Sequence, residues 1–164
     1  MSEKPIYILN ASAIIALQRK GKLTQYIKDK TCLITSRVKE ELIEKPKLKL
    51  REIKTDKLRK IVEDSVKEIE ILVSEGKLVV TSIKYKRFSK LLDEARKTIA
   101  IYESRAEHEV KADHTIVVLA LQKALEGRKT ILVSNDKTIN KVVQKLATSK
   151  GVKITIKTTN GNIT

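Results

Sequence analysis

Ile6-Tyr7-Ile8-Leu9-Asn10-Ala11-Ser12-Ala13 changes its periodicity halfway along, and that change decides the fold class. The first four residues form a short run of high β preference, the pattern of a buried strand. From Ala11 to Gln18, Ala, Ile and Leu recur at helical spacing. A buried strand that feeds straight into a helix is the building unit of a parallel sheet with crossover helices.

The alternation continues along the chain. A short helix is expected over Leu23 to Lys28 and a strand over Cys32 to Thr35. Ser36 is placed to cap a helix through Val38, Leu42 and Ile43, which Pro46 should stop. The clearest helix lies between Asp56 and Ser74. There Leu58, Ile61, Val62, Ser65, Ile69, Leu72 and Val73 share one stripe, and Gly76 is a good terminator. Leu78 to Thr81 reads as the third strand. Leu91, Leu92, Ala95 and Ile99 mark a helix ending near Tyr102, and Thr115 to Leu125 a strongly apolar helix bounded by Gly127. Strands over Thr130 to Ser134 and Val152 to Ile156, around a helix over Ile139 to Leu146, bring the set to about five. The expectation is an α/β fold: a single three-layer domain with a central parallel sheet over residues 1–157, followed by a flexible tail over 158–164.

Composition bounds the function. The chain has 164 residues, enough for one core, and 41% of them are hydrophobic, which argues against disorder. No run is long and apolar enough to span a membrane and the N-terminus does not read as a signal peptide, so a cytoplasmic protein with no membrane partner is expected. Cys32 stands alone in an apolar run and reads as a small buried hydrophobe, without the Cys/His set of a structural zinc site. Lys and Arg number 35 against 20 acids, a net charge of +15. Such a field favours polyanions, above all nucleic acid, although a Lys-rich thermophile surface is the alternative.

Chemistry is expected beyond the carboxyl ends of the strands, where open α/β sheets bind ligands. Neither a GxxxxGK[ST] nor a GxGxxG loop is present to hold a nucleotide, and no GxSxG elbow presents a serine. What stands at strand ends and helix starts is a set of polar and acidic residues: Asn10, Glu41, Asp113, Ser134 and Asp136. Each acid alone reads as well as a solvated helix charge or an N-cap. Several carboxylates converging on one cleft are stable together only with a compensating cation.

Four segments resemble the motifs of the PIN-domain nucleases. Ile6 to Ala13 is similar to the opening hydrophobic strand and Asp-x-Ser, with Asn10 where the family has Asp. Val38-Lys39-Glu40-Glu41-Leu42 resembles the second motif and places its acid at Glu41. Lys111-Ala112-Asp113-His114-Thr115 with the following apolar run resembles the third, and Ile131-Leu132-Val133-Ser134-Asn135-Asp136 the fourth. The resemblance covers residues 6 to about 156. It implies a metal-dependent endoribonuclease whose metal-site residues are Asn10, Glu41, Asp113 and Asp136, with the Ser134 hydroxyl alongside. Mg²⁺ or Mn²⁺ suits such oxygen ligands.

Asn10 keeps an oxygen ligand but loses a charge, so metal affinity and activity are expected to fall. Either the substitution is an engineered one that silences an enzyme, or it is natural and this is a weakened or non-catalytic RNA-binding or scaffold member. The resemblance extends to archaeal rRNA-processing endonucleases, through Leu92-Asp93-Glu94-Ala95-Arg96-Lys97, and to toxins of toxin–antitoxin pairs. It implies RNA as substrate, relatives that form homodimers, and a protein partner such as an antitoxin or a ribosomal particle. The rRNA-processing branch usually carries a zinc ribbon, which this sequence lacks. Lys84-Tyr85-Lys86-Arg87-Phe88 is the expected RNA contact, with cations for phosphates and rings for bases. The alternative is that Phe88 packs in the core beneath a solvated loop.

Overall fold

A computed structural model describes residues 4–159. Its core is one parallel sheet of β1 (Ile6–Leu9), β2 (Thr31–Ile34), β3 (Val79–Val80), β4 (Thr130–Val133) and β5 (Ile154–Lys157), in the order β3-β2-β1-β4-β5. The chain steps outward from β1 through β2 to β3, then returns to the other side of β1 for β4 and β5. The strand order therefore reverses between β1 and β4. That is where an open α/β sheet leaves a crevice at its carboxyl edge. The expected α/β sheet with crossover helices is the observed architecture.

The helices are α1 (Ala11–Arg19), α2 (Leu23–Ile27), α3 (Ser36–Lys39), α4 (Lys45–Lys49), α5 (Asp56–Ser74), α6 (Tyr85–Glu103), α7 (His114–Leu125) and α8 (Lys137–Lys150). Ile8, Leu9, Ile34 and Leu132 are fully buried in the central strands, as four-residue apolar runs require. The apolar helix α7 buries Ile116 through Leu121 without interruption, which makes it the central helix of its layer. Gly127, at φ 84, leaves it through the left-handed region that a side chain would resist.

Three local expectations change. Pro46 does not stop the second-strand helix. Residues Glu40–Glu44 form a π turn, in which Lys45 N–H reaches back to Glu40 O, and Pro46 sits in the first turn of α4. The wider turn starts a new segment in which Pro46 occupies a position that needs no amide donor. Thr35, not Ser36, caps α3, its hydroxyl accepting from Val38 N–H at 3.1 Å. α6 starts at Tyr85, six residues before the first apolar marker Leu91, with a kink at Phe88. Phe88 itself is buried.

The expected tail also needs dividing. Thr159 is fully buried, its N–H donating to Asn135 Oδ1 at 2.7 Å. Residues 160–164, the rest of that tail, lie outside the described residues. No helix among the described residues is long and apolar enough to cross a membrane.

Candidate active site

The strand register lines up the candidate residues. Ile6 pairs with Thr31 on one side and Thr130 on the other. Extended to Asn10, the register puts it beside Thr35 and Ser134, at the strand spacing of about 4.8 Å. Backbone bonds carry the ladder to this level: Asn10 N–H donates to Val133 O at 3.0 Å, and Ser134 N–H to Lys157 O at 3.0 Å. Thr35, Asn10 and Ser134 thus stand in a row along the carboxyl edge, with Asn10 and Ser134 bracketing the point of reversed strand order. All three are buried polar residues.

One half of the site hangs on Asp113. It caps α7, its Oδ1 accepting from Thr115 N–H at 2.9 Å, Ile116 N–H at 3.3 Å and the Thr115 hydroxyl. Its Oδ2 accepts from the Thr35 hydroxyl at 3.0 Å. The backbone leading to it is clamped twice. Glu103 accepts from Lys111 N–H and Ala112 N–H, each at 3.1 Å, and Arg37 donates to Lys111 O at 2.6 Å.

Glu41 belongs to this half. It lies in the π turn, while its neighbour Glu40 is exposed. Burial pushes the Glu41 carboxyl above its ordinary range, Arg37 opposes the shift, and the charge of Asp113 raises it further. An apolar hollow of about 720 Å³, walled by Pro46, Leu58 and Val62, opens beside it. Arg37 Nε lies 3.5 Å from Glu41 Oε1. Glu41 and Asp113 are therefore close enough for their charges to interact, and Arg37, whose effect on Glu41 is larger than that of Asp113, is the counter-charge between them.

The other half is built on Ser134. Its hydroxyl accepts from Asn10 Nδ2 at 3.4 Å and from Asp136 N–H at 3.1 Å. Asn10 Oδ1 caps α1 by accepting from Ala11 N–H at 2.9 Å. Asp136 caps α8, Oδ1 accepting from Ile139 N–H at 3.1 Å. Ser12, Asn140 and Thr159 pin the loop through Asn135 and Ser134, so the turn carrying Asp136 is held from three sides.

The structure thus joins Asn10 to Ser134 and Asp136, and Glu41 to Asp113. Among the described residues no group of three or more His, Cys, Asp or Glu could hold a metal ion. The segment Lys84-Tyr85-Lys86-Arg87 is not brought to this edge. Lys84 N–H donates to Gln122 Oε1 at 2.9 Å and its ammonium pairs with Glu126, at the far end of α7 from Asp113. Nine residues of helix put those ends on the order of 13 Å apart.

Thr35, Arg37 and Glu103 emerge only from the structure, as does His114 with its neighbour. Arg96 Nη2 lies 3.1 Å from His114 Nε2. Burial first, and then the Arg96 charge, push the imidazole pKa down, so the ring is favoured in its neutral form. The sequence signal for Thr35 was a hydroxyl at a strand end; for Arg96 and Glu103 there was none, because their roles depend on how α6 packs on α7.

In a comparison with protein-family models, residues 7–163 match the model described as Halobacterial PIN domain. Comparisons with curated proteins and with solved structures gave no match.

Proposed function

The chain belongs to the halobacterial PIN-domain family, and from that premise we propose that it is a metal-dependent endoribonuclease weakened by Asn10. Membership makes it a nuclease-type domain. The finer reading rests on one observation: Glu41, a half-buried carboxylate, stands near enough to Asp113, a carboxylate from another element, to feel its charge, with Arg37 beside them.

The fit to a cation lies in the donors: two carboxylates supply hard oxygens, and the burial that raises Glu41 favours a positive charge beside it. Mg²⁺ commonly binds through one or two carboxylates and completes its shell with water and substrate phosphate, so a pair is sufficient. On this reading Glu41 and Asp113 hold Mg²⁺ or Mn²⁺, with Asn10 offering a neutral oxygen between the halves. Bound there, the ion would offset phosphate charge and make water a stronger acid.

The chain's own residues do the rest. The net positive field draws RNA to the edge. Thr35 and the α7 amides hold Asp113 in place, and Arg37 restrains Glu41. Asp136, with Oδ1 committed to Ile139 N–H, keeps Oδ2 to accept a proton from the attacking water. The water oxygen bonds to phosphorus, the bond from phosphorus to one ribose oxygen breaks, and that oxygen leaves with a solvent proton. On this reading the protein works in the cytoplasm, where its RNA is.

The decisive experiment incubates labelled structured RNAs, rRNA and tRNA fragments among them, with this protein and its Asn10→Asp variant in Mg²⁺, Mn²⁺ or EDTA. Slow cleavage by the wild type, faster cleavage by Asn10→Asp, and none in EDTA or after Asp113→Ala is the expected result. Absence of cleavage by both forms, with RNA still bound, would replace the enzyme with a non-catalytic RNA-binding member. The neutral Asn10 at the centre of the row is the observation that favours that second reading.

A further inference from the structure

The basic side chains nearest the acid pair are not those of the Lys84–Arg87 segment. Arg37 on α3 and Arg96 on α6 flank the Asp113–His114 corner, and Lys45 on α4 adds charge beside Glu41. Arg37 reaches across from the end of β2 to Lys111 O at 2.6 Å and lies 3.5 Å from Glu41 Oε1. Arg96, on α6, lies 3.1 Å from the ring of His114, the residue directly after Asp113. The two guanidinium groups therefore come to the Asp113 corner from two different elements.

Arg96 is the more informative. Among the described residues no carboxylate pairs with it. It is half-buried, and the polar contact described for it is to an imidazole. A guanidinium carries five N–H donors, so most of its hydrogen-bonding capacity is unspent. A half-buried cation with unspent donors beside a nuclease site suits an oxyanion that the planar fork can grip through two oxygens. Arg37 has a partner in Glu41, but at 3.5 Å that pair is loose and half-exposed, and it can give way to a more highly charged acceptor.

We infer that Arg37 and Arg96 form a phosphate clamp that holds the backbone of a single-stranded RNA across the Glu41–Asp113 edge. This rests on the RNA-cleaving reading of the same site and adds the residues that bind the substrate there. It also moves the site-proximal RNA contact from Lys84–Arg87, at the far end of α7, to the corner where the acids stand.

The test measures binding, not cleavage. A short fluorescent single-stranded oligoribonucleotide is titrated in EDTA, across a salt series, with wild type, Arg96→Gln, Arg96→Lys, Arg37→Gln and Lys129→Gln. Lys129 is exposed and precedes β4, at the opposite edge of the sheet, so its variant removes a charge without touching the site. Thermal melts accompany each variant. Arg96→Gln should bind about tenfold more weakly, as loss of a charged hydrogen bond predicts. Its salt slope should fall by about 0.7, the single-strand value for one lost phosphate contact. Arg96→Lys should keep the slope and lose affinity, because it retains the charge without the fork. Arg37→Gln should behave as Arg96→Gln, and Lys129→Gln as wild type.

Equal losses in Arg96→Gln and Lys129→Gln would show a general electrostatic field and overturn the clamp. So would wild-type binding by a folded Arg96→Gln. Either result leaves the nuclease reading standing. Failure of the wild type to bind RNA at any salt would overturn both.

Discussion

Asn10→Asp should speed cleavage yet make the metal-free protein less stable, and the two effects share one cause. Extending the β1–β2 register puts Asn10 beside Thr35 at the strand spacing of about 4.8 Å, and the Thr35 hydroxyl is 3.0 Å from Asp113 Oδ2. A carboxylate at position 10 would then lie on the order of 6 Å from that of Asp113. At an effective dielectric of about 20, that repulsion is about 2–3 kcal/mol. Local bonding hardly offsets it. Ala11 N–H can still bond to Oδ1, the Ser134 hydroxyl can turn to donate, and a charged cap adds about 0.5 kcal/mol of dipole attraction. The net loss is about 2 kcal/mol, or roughly 4–8 °C in Tm for a chain of this size. Thermal unfolding followed by circular dichroism, in EDTA and in Mg²⁺, is the assay. Mg²⁺ at about a hundred times its Kd should restore about 2.7 kcal/mol. A variant that melts with wild type in EDTA and gains nothing from Mg²⁺ would show that position 10 does not share the acids' potential. The cation reading of the site would fall with it.

Other parts of the site give independent expectations. Thr35→Val removes a helix cap and the hydroxyl that bonds Asp113, so it should lower stability by about 3 kcal/mol, roughly 6–12 °C by calorimetry; a shift near zero would remove Thr35 from the site's scaffold. The Cys32 thiol, buried and pushed up to about 12 by desolvation, should react with a disulfide reagent at pH 8 only as fast as the protein unfolds. Labelling that ignores added denaturant would contradict its burial. Glu41, raised above its ordinary value by burial first, gives stability that is present below the unfolded carboxylate pKa near 4.5 and lost as pH rises through the folded value. Glu41→Gln should therefore gain in Tm relative to wild type as pH climbs from 4 to 7, whereas parallel curves would mean that Glu41 is not desolvated.

The sheet was legible because its central strands are short apolar runs bounded by polar residues, and a run such as Ile6–Leu9 has few other ways to hide itself. The third strand shrank to Val79–Val80 because it is the edge, where both residues stay exposed and pairing is one-sided. Pro46 misled because a π turn leaves no spacing signature, and its position was read as a stop when it is a restart. The amino-terminal half of α5 misled in another way: its apolar stripe includes Leu58 and Ile61, yet both are about half exposed. Periodicity shows which face is apolar, not whether anything covers it. Within the candidate site, strand ends and motif order pointed to Asn10, Glu41, Asp113, Ser134 and Asp136. Arg37, Arg96 and Glu103 were invisible, because each reaches the Asp113 corner across a helix packing that one-dimensional spacing does not encode.

The same caps that build the site also limit what it can bind. Each carboxylate oxygen has two lone pairs. Asp113 Oδ1 already takes three donors from the first turn of α7, and Oδ2 takes one from Thr35. One direction on Oδ2 is therefore open, so Asp113 can serve an ion through a single oxygen and never through both. Asp136 has likewise committed Oδ1 to α8. Ca²⁺ gathers six to eight oxygens, often by bidentate carboxylates, whereas Mg²⁺ asks for six and keeps waters in several of them. On the proposed reading, Asp113 and Asp136, which double as helix caps, would each offer one oxygen, an arrangement that would suit the smaller ion. Asn10, whose Oδ1 is bonded to Ala11 N–H, follows the same rule and differs from its acidic counterpart in charge more than in geometry. On the proposed reading, the loss of one negative charge at position 10 is what would set how strongly a cation is held there.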